Sequence, residues 1–304
     1  MRRKQAVERA APVSGGAHAT KLPSGLTEVY FAEAPGAPLV VVYHIQKTAG
    51  TSLRRFVRAN LPPARREPAA DLQKLRYRPD ELLAWHREWY DSLDPARRER
   101  LCCVMSHSAG YLLPALDRPA EALTVVREPL DRVLSFYYYK RRRPHEPPDS
   151  RRTEDFFDLE QVYRAGEEER ARLKRPARLE SWAQFYNWQS RSLLSVFHDV
   201  SGLAFSRGPS PDADIWRARL RSIVEDVFTV GVQDRFAEYV DVLARRFAWK
   251  PVVTASKVNE RRPPASELSG ELRETILACN WLDTELYQLC RETQLRAEAG
   301  SVGR

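Results

Sequence analysis

Three polar residues of different chemistry stand just beyond three short apolar runs. Lys47 follows Leu39 to Tyr43, His107 follows Leu101 to Met105, and Arg127 follows Leu123 to Val126. Lysine and arginine can neutralise phosphate-like oxygens, and a histidine of ordinary pKa near 6.5 can take a proton from a hydroxyl. The first of the three sits in the densest setting. After the apolar run comes the polar loop H-I-Q-K-T-A-G, and Thr51 and Ser52 then open a segment whose apolar residues Leu53, Phe56 and Val57 have helical spacing. Loop amides, two hydroxyls and a helix N-terminus therefore converge on one point, which makes an anion site and most simply a phosphate site.

A nucleoside-triphosphate P-loop needs its lysine directly after the second glycine and a hydroxyl on Mg²⁺. Here Lys47 precedes Gly50, the single glycine of the loop. Phosphoryl transfer also leans on Mg²⁺ held by a carboxylate at a strand end, and the corresponding run here ends in Arg127, so no metal is expected.

The elements that must position these residues follow from the patterning. Apolar runs of strand length alternate with helical periodicity, which predicts an α/β fold whose ligand site lies outside the carboxyl ends of the strands. Strands are expected at Leu39 to Tyr43, Leu101 to Met105, Leu123 to Val126 and Phe228 to Val232. Helices are expected over 71–93, from Pro129 onward, over 154–178, 181–197, 214–227, 234–249 and 267–295, several of them insertions into the α/β frame. Residues 1–26, made of Ala, Gly, Ser, Pro and charge, read as a flexible arm, and 27–304 as one large domain. The Arg/Pro-rich stretch 140–152 reads as a solvated linker in preference to a rim for an acidic acceptor.

Net charge is +8, yet only eight of the 49 basic residues are lysine. Arg, Ala and Pro are all plentiful, a skew that reads as codon bias. Basic residues are not interleaved with aromatics along a stripe, so no nucleic-acid partner is expected. Cys102, Cys103, Cys279 and Cys290 form no C-x-x-C pair and no metal spacing with histidine, and are expected to be buried thiols. The N-terminus lacks an apolar signal core and no run has the length of a membrane span, so the chain reads as soluble and cytoplasmic.

H-I-Q-K-T-A-G-T-S-L resembles the 5′-phosphosulfate loop of sulfotransferases, in the branch of the heparan-sulfate 2-O-sulfotransferases and their bacterial relatives. T-V-V-R-E-P-L-D-R-V-L-S-F-Y-Y is similar to that family's 3′-phosphate motif, with Arg127 and Ser135 at the expected spacing of eight. N-W-Q-S-R-S-L, V-G-V-Q-D-R-F and V-N-E-R-R-P extend the resemblance over nearly all the chain beyond residue 38.

The resemblance implies a P-loop-like parallel sheet flanked by helices, the donor 3′-phosphoadenosine 5′-phosphosulfate, and sulfuryl transfer to a hydroxyl. Carried over, Lys47, Thr48, Ala49, Gly50, Thr51 and Ser52 hold the 5′-phosphosulfate. Arg127 and Ser135 hold the 3′-phosphate, Lys257 and Asn259 touch the donor, and His107 is the general base. Asn187, Gln189 and Arg191 are candidates to line the acceptor cleft. Gln46 and Ser106 depart from the family, which usually has proline and glycine there. The acceptor implied is a sugar hydroxyl on a glycan or glycolipid. Two other readings stay open: a non-catalytic nucleotide-binding scaffold and a P-loop small-molecule kinase.

Overall fold

A computed structural model describes residues 28–62, 64–67, 79–141, 159–164, 183–203, 207–251 and 265–299. The expected arm 1–26, residues 71–78 of the helix expected over 71–93, residues 142–152 of the linker expected over 140–152, most of the helix expected over 154–178, and Lys257 and Asn259 lie outside them.

Six strands form one mixed sheet: β1 (Glu28–Ala32), β2 (Leu39–Tyr43), β3 (Ala64–Glu67), β4 (Leu101–Ser106), β5 (Ala120–Val126) and β6 (Phe228–Val232), in the order β3-β1-β4-β2-β5-β6. The four expected strands are its parallel part, while β1 runs antiparallel between β4 and β3. The sheet is therefore mixed where an all-parallel one is expected. β3 reads A-R-R-E and lacks an apolar pattern, because a charged edge strand has only one paired side and resists pairing with other chains.

All five residues of β2 are buried, as a strand covered on both faces requires. Val40 and Val42 face α1 (Gly50–Asn60) and the helix over Phe236–Phe247, here α8, through Leu53, Phe56, Tyr239 and Leu243. Leu39 and Val41 face α2 (Pro79–Ser92) and the 3₁₀ segment Ala109–Ala115. Tyr43, Ala122 and Val230 pack under α6 (Trp188–Leu194), α7 (Ala213–Ser222) and α10 (Trp281–Ala299). A further cluster joins α4 (Pro129–Arg141), α5 (Leu159–Arg164) and α9 (Gly270–Cys279). Short α3 (Pro95–Arg100) leads into β4.

Two expected helices are broken. Residues 281–299 do not continue α9, because Asn280 turns the chain and bonds its side-chain amide back to the Ile276 carbonyl at 2.9 Å. The apolar period runs on through Ile276, Cys279, Leu282 and Leu286, so periodicity cannot see the break. Likewise, the helix expected over 181–197 is interrupted: Ala183 is helical, 184–187 turn, and helix resumes at Trp188 after Asn187 in a left-handed conformation at φ 47°. The four cysteines are buried free thiols, as expected. Among the described residues, no helix is long and apolar enough to cross a membrane.

Candidate functional site

β2, β4 and β5 are parallel and in register, so their carboxyl ends present His44, His107 and Arg127 along one edge. The His44 amide donates to the Ser106 carbonyl at 2.9 Å and carries the β2–β4 pairing one residue past the sheet.

The loop leaving β2 is tightly wound. Thr48 is buried and donates its hydroxyl to the Ile45 carbonyl at 2.8 Å. Lys47 at φ 71° and Ala49 at φ 66° both adopt the left-handed region, uncommon for residues with a Cβ. Two such residues within three positions amount to stored backbone strain, which collects at functional sites. The Ala49 carbonyl then accepts the Ser52 and Leu53 amides at 2.9 and 3.2 Å, opening α1. Ser52's amide is thus spent in the turn, and its side chain is buried while Thr51 is exposed. Gly50 and Thr51, first in α1, have no carbonyl within the helix to bond. Gly50 is glycine for lack of space: a Cβ there would fall 1.6 Å from the Cδ2 of His44.

Cations surround this loop. The Lys47 ammonium lies 4.0 Å from the centre of the Tyr139 ring on α4, a cation–π contact. Arg132, fully buried on α4, reaches the Gln46 carbonyl at 3.4 Å and also bonds the main chain and side chain of Gln184. Burial lowers its guanidinium to about 10. Arg132 so anchors the loop at Gln46.

Arg127 opens the turn from β5 into α4. Its Nε donates to Asp131 at 2.8 Å, its Nη2 pairs with the same carboxylate, and its Nη1 donates to the Lys47 carbonyl at 3.3 Å. Glu128 caps α4 by accepting the Leu130 and Asp131 amides at 3.1 and 2.7 Å. Ser135 is buried one turn beyond Asp131.

His107 occupies a short turn fixed by Ser106, whose hydroxyl accepts the Ser108 amide at 3.1 Å. Its Nδ1 donates to the His44 carbonyl at 2.5 Å, and the two imidazoles stack with centres 4.3 Å apart. Burial lowers His107 to about 4, partly opposed by that bond and assisted by the Arg54 charge. Burial likewise drives His44 well below 6.5, helped by His107, Arg54 and Lys47. Arg54 is in turn held on the Glu28 carboxylate, which also takes Arg58.

The three candidates for the acceptor cleft face inward instead. Gln189 is buried and brackets Arg127, accepting its amide at 2.8 Å and donating to its carbonyl at 2.9 Å. Asn187 is buried and accepts the Leu282 and Asp283 amides, capping α10, while Asp283 accepts the Gln189 and Ser190 amides, capping α6. Arg191 bonds the Leu203 carbonyl and is lowered by burial to about 10. Their polar atoms tie helices to one another and to the main chain of Arg127.

Lys47, Gly50, Thr51, His107 and Arg127 are thus gathered along one sheet edge. His44 and Arg132 belong there too, although sequence reading passes over them. The strand-end rule that selects His107 and Arg127 selects His44 equally, as the first residue past β2. Arg132 carries no such mark, since an arginine on a helix is usually solvated. The fold and site define an α/β protein with cations, a histidine pair and a helix N-terminus at the carboxyl edge of its parallel strands, an arrangement that can hold an anion beside a base. The chain matches no protein-family model, and no curated protein matches it.

Proposed function

We propose that this protein is a sulfotransferase with a P-loop-like fold, moving the sulfuryl group of 3′-phosphoadenosine 5′-phosphosulfate to an acceptor hydroxyl, on a carbohydrate by preference. One observation carries the reading: the strained Lys47–Ala49 turn at the start of α1, the neutral His107 and the Arg127 guanidinium share one edge, with Arg127 bonded to the Lys47 carbonyl.

The residues fit such a donor in charge. The amides of Gly50 and Thr51 have no carbonyl within α1 to bond, and Lys47 in the loop, Arg132 on α4 and Arg127 at the end of β5 stand around them. Lys47, Thr51 and the first amides of α1 would hold the 5′ end, with Arg127 and Ser135 at the 3′-phosphate. The donor supplies an activated sulfuryl group. Lys47 and the amide dipoles neutralise charge on the departing oxygen, a role preorganised dipoles perform without rearrangement. His107, neutral throughout the physiological range, takes the hydroxyl proton on Nε2, because Nδ1 is engaged with the His44 carbonyl.

A second reading, a non-catalytic nucleotide-binding scaffold, draws on the Arg127–Asp131 pair, which gives Arg127 a structural partner. A thermal-shift panel separates the readings. Adenosine 3′,5′-bisphosphate should raise the melting temperature equally in EDTA and in Mg²⁺, and ADP and ATP should raise it less. A shift only with ATP and Mg²⁺ would favour a kinase, and nucleotide binding without sulfuryl turnover the scaffold.

A further inference from the structure

Three contacts converge on His44. Its carbonyl takes the Nδ1 hydrogen of His107 at 2.5 Å, its ring stacks on the His107 ring at 4.3 Å and 32°, and the same ring fills the space above Gly50, where a Cβ would meet Cδ2 at 1.6 Å and Nε2 at 2.1 Å. Its own Nδ1 is buried without a hydrogen-bond partner among the described residues. Leaving a buried polar atom unbonded costs free energy, so this ring is kept for where it sits rather than for what it bonds.

We propose that His44 is a positioning residue for His107. Its carbonyl selects the tautomer that leaves Nε2 as the basic nitrogen, and its ring, wedged between Gly50 and His107, makes the anion loop and the base move as one unit. The tautomer follows from chemistry, because a carbonyl can only accept and Nδ1 must therefore carry the hydrogen. The coupling follows from packing. A close-packed stack transmits displacement, so a shift of the backbone at residue 50 must push the His44 ring against His107. The charges acting on the two rings are Arg54 on α1 and Lys47 in the loop, both cationic, and with burial they keep the pair neutral. The role of His107 as base rests on the sulfotransferase reading, but the wedge itself does not.

Nitrogen NMR of ligand-free protein tests it, using the intact chain and the variants His44→Ala, Gly50→Ala and their combination. In the wild type, His107 should show the Nδ1–H tautomer and titrate near 4. His44→Ala keeps the carbonyl and hence the tautomer, but admits water against His107 and should raise its midpoint by about one unit or more toward 6.5. The acid limb of kcat/KM should move with it. Gly50→Ala alone should disturb the His107 signal, yet in the His44→Ala background the added methyl finds room and should change nothing further. An unmoved midpoint in His44→Ala, or an equal Gly50→Ala effect in both backgrounds, would overturn the proposal. If His44→Ala fails to fold, His44→Asn carries the same expectations. Loss of the sulfotransferase reading would appear separately, as a wild type that ignores 3′-phosphorylated nucleotides while these signals persist.

Discussion

The loop after β2 and the knot joining Asn187, Asn280 and Asp283 are built from similar parts, helix N-termini with polar side chains close by, and they treat those parts in opposite ways. In the knot, Asn187 caps α10, Asp283 caps α6, and Asn280 accepts the Asn187 amide at 2.8 Å. Burial pushes the Asp283 carboxyl up, and the amides of Ser190 and Gln189 pull it back. The loop has Ala49 at its helix N-cap with no side-chain cap, and two left-handed residues within three positions where the knot has Asn187. A helix start whose donors are capped from within the protein is finished as structure. One left uncapped beside cations is arranged for something from outside. Gln189 joins the two regions, since it belongs to the knot and grips the main chain of Arg127.

That contrast can be broken by experiment. The largest effect belongs to the loop side: His107→Ala should lower turnover by about 10² to 10⁴ while leaving donor affinity nearly intact, as single-turnover kinetics and calorimetry would read. Normal turnover would return His107 to a structural role. On the knot side, Asp283→Ala should leave the chain less stable by about 3–5 kcal/mol in urea unfolding, because it uncaps α6 and removes a carboxylate near buried Arg132. A loss under about 1 kcal/mol would contradict the assignment of this carboxylate as the knot's central acceptor.

Acid should act through the buried histidines. His86 on α2 is fully buried and lowered by burial to about 4, so the unfolded chain binds its proton first as pH falls. Its contribution is complete above 6.5 and lost as pH falls toward 4, about 3 kcal/mol for a shift of this size. Urea midpoints at pH 7 and pH 4.5 should show this decline, with a smaller decline in His86→Leu. The smallest effect is a gain: Ala49→Gly, which relieves a left-handed residue at φ 66°, should stabilise the chain by about 1 kcal/mol. Destabilisation there would mean that the left-handed turn is not strained.

Much of this contrast was legible in the residues. The parallel strands and the three strand-end residues follow from apolar runs bounded by polar loops, because burial on both faces leaves a continuous run. Sequence reading passes over the antiparallel β1, although Val29 to Ala32 is a buried apolar run, and β3 was not legible, since it is charged and gains its place by pairing rather than by burying side chains. The knot was invisible for a related reason. Asn187, Gln189 and Arg191 look like solvent-facing polar residues beside a cleft, and only the tertiary fold brings the α10 N-terminus to Asn187, the Arg127 main chain to Gln189 and the Leu203 carbonyl to Arg191. His44 was open to discovery by the same positional rule as His107, but Lys47 and Gly50 form the more conspicuous pattern.

The most direct measurement is calorimetry of wild type and Arg127→Ala with two nucleotides, in EDTA. If the guanidinium leaves part of its Asp131 pair to hold a 3′-phosphate, the substitution should weaken adenosine 3′,5′-bisphosphate by roughly 30-fold to several thousand-fold, corresponding to about 2–5 kcal/mol, and leave adenosine 5′-monophosphate unchanged. Equal weakening of both nucleotides, with a fall in melting temperature, would make Arg127 a brace of the strand-to-helix turn and contradict the phosphosulfate-donor account.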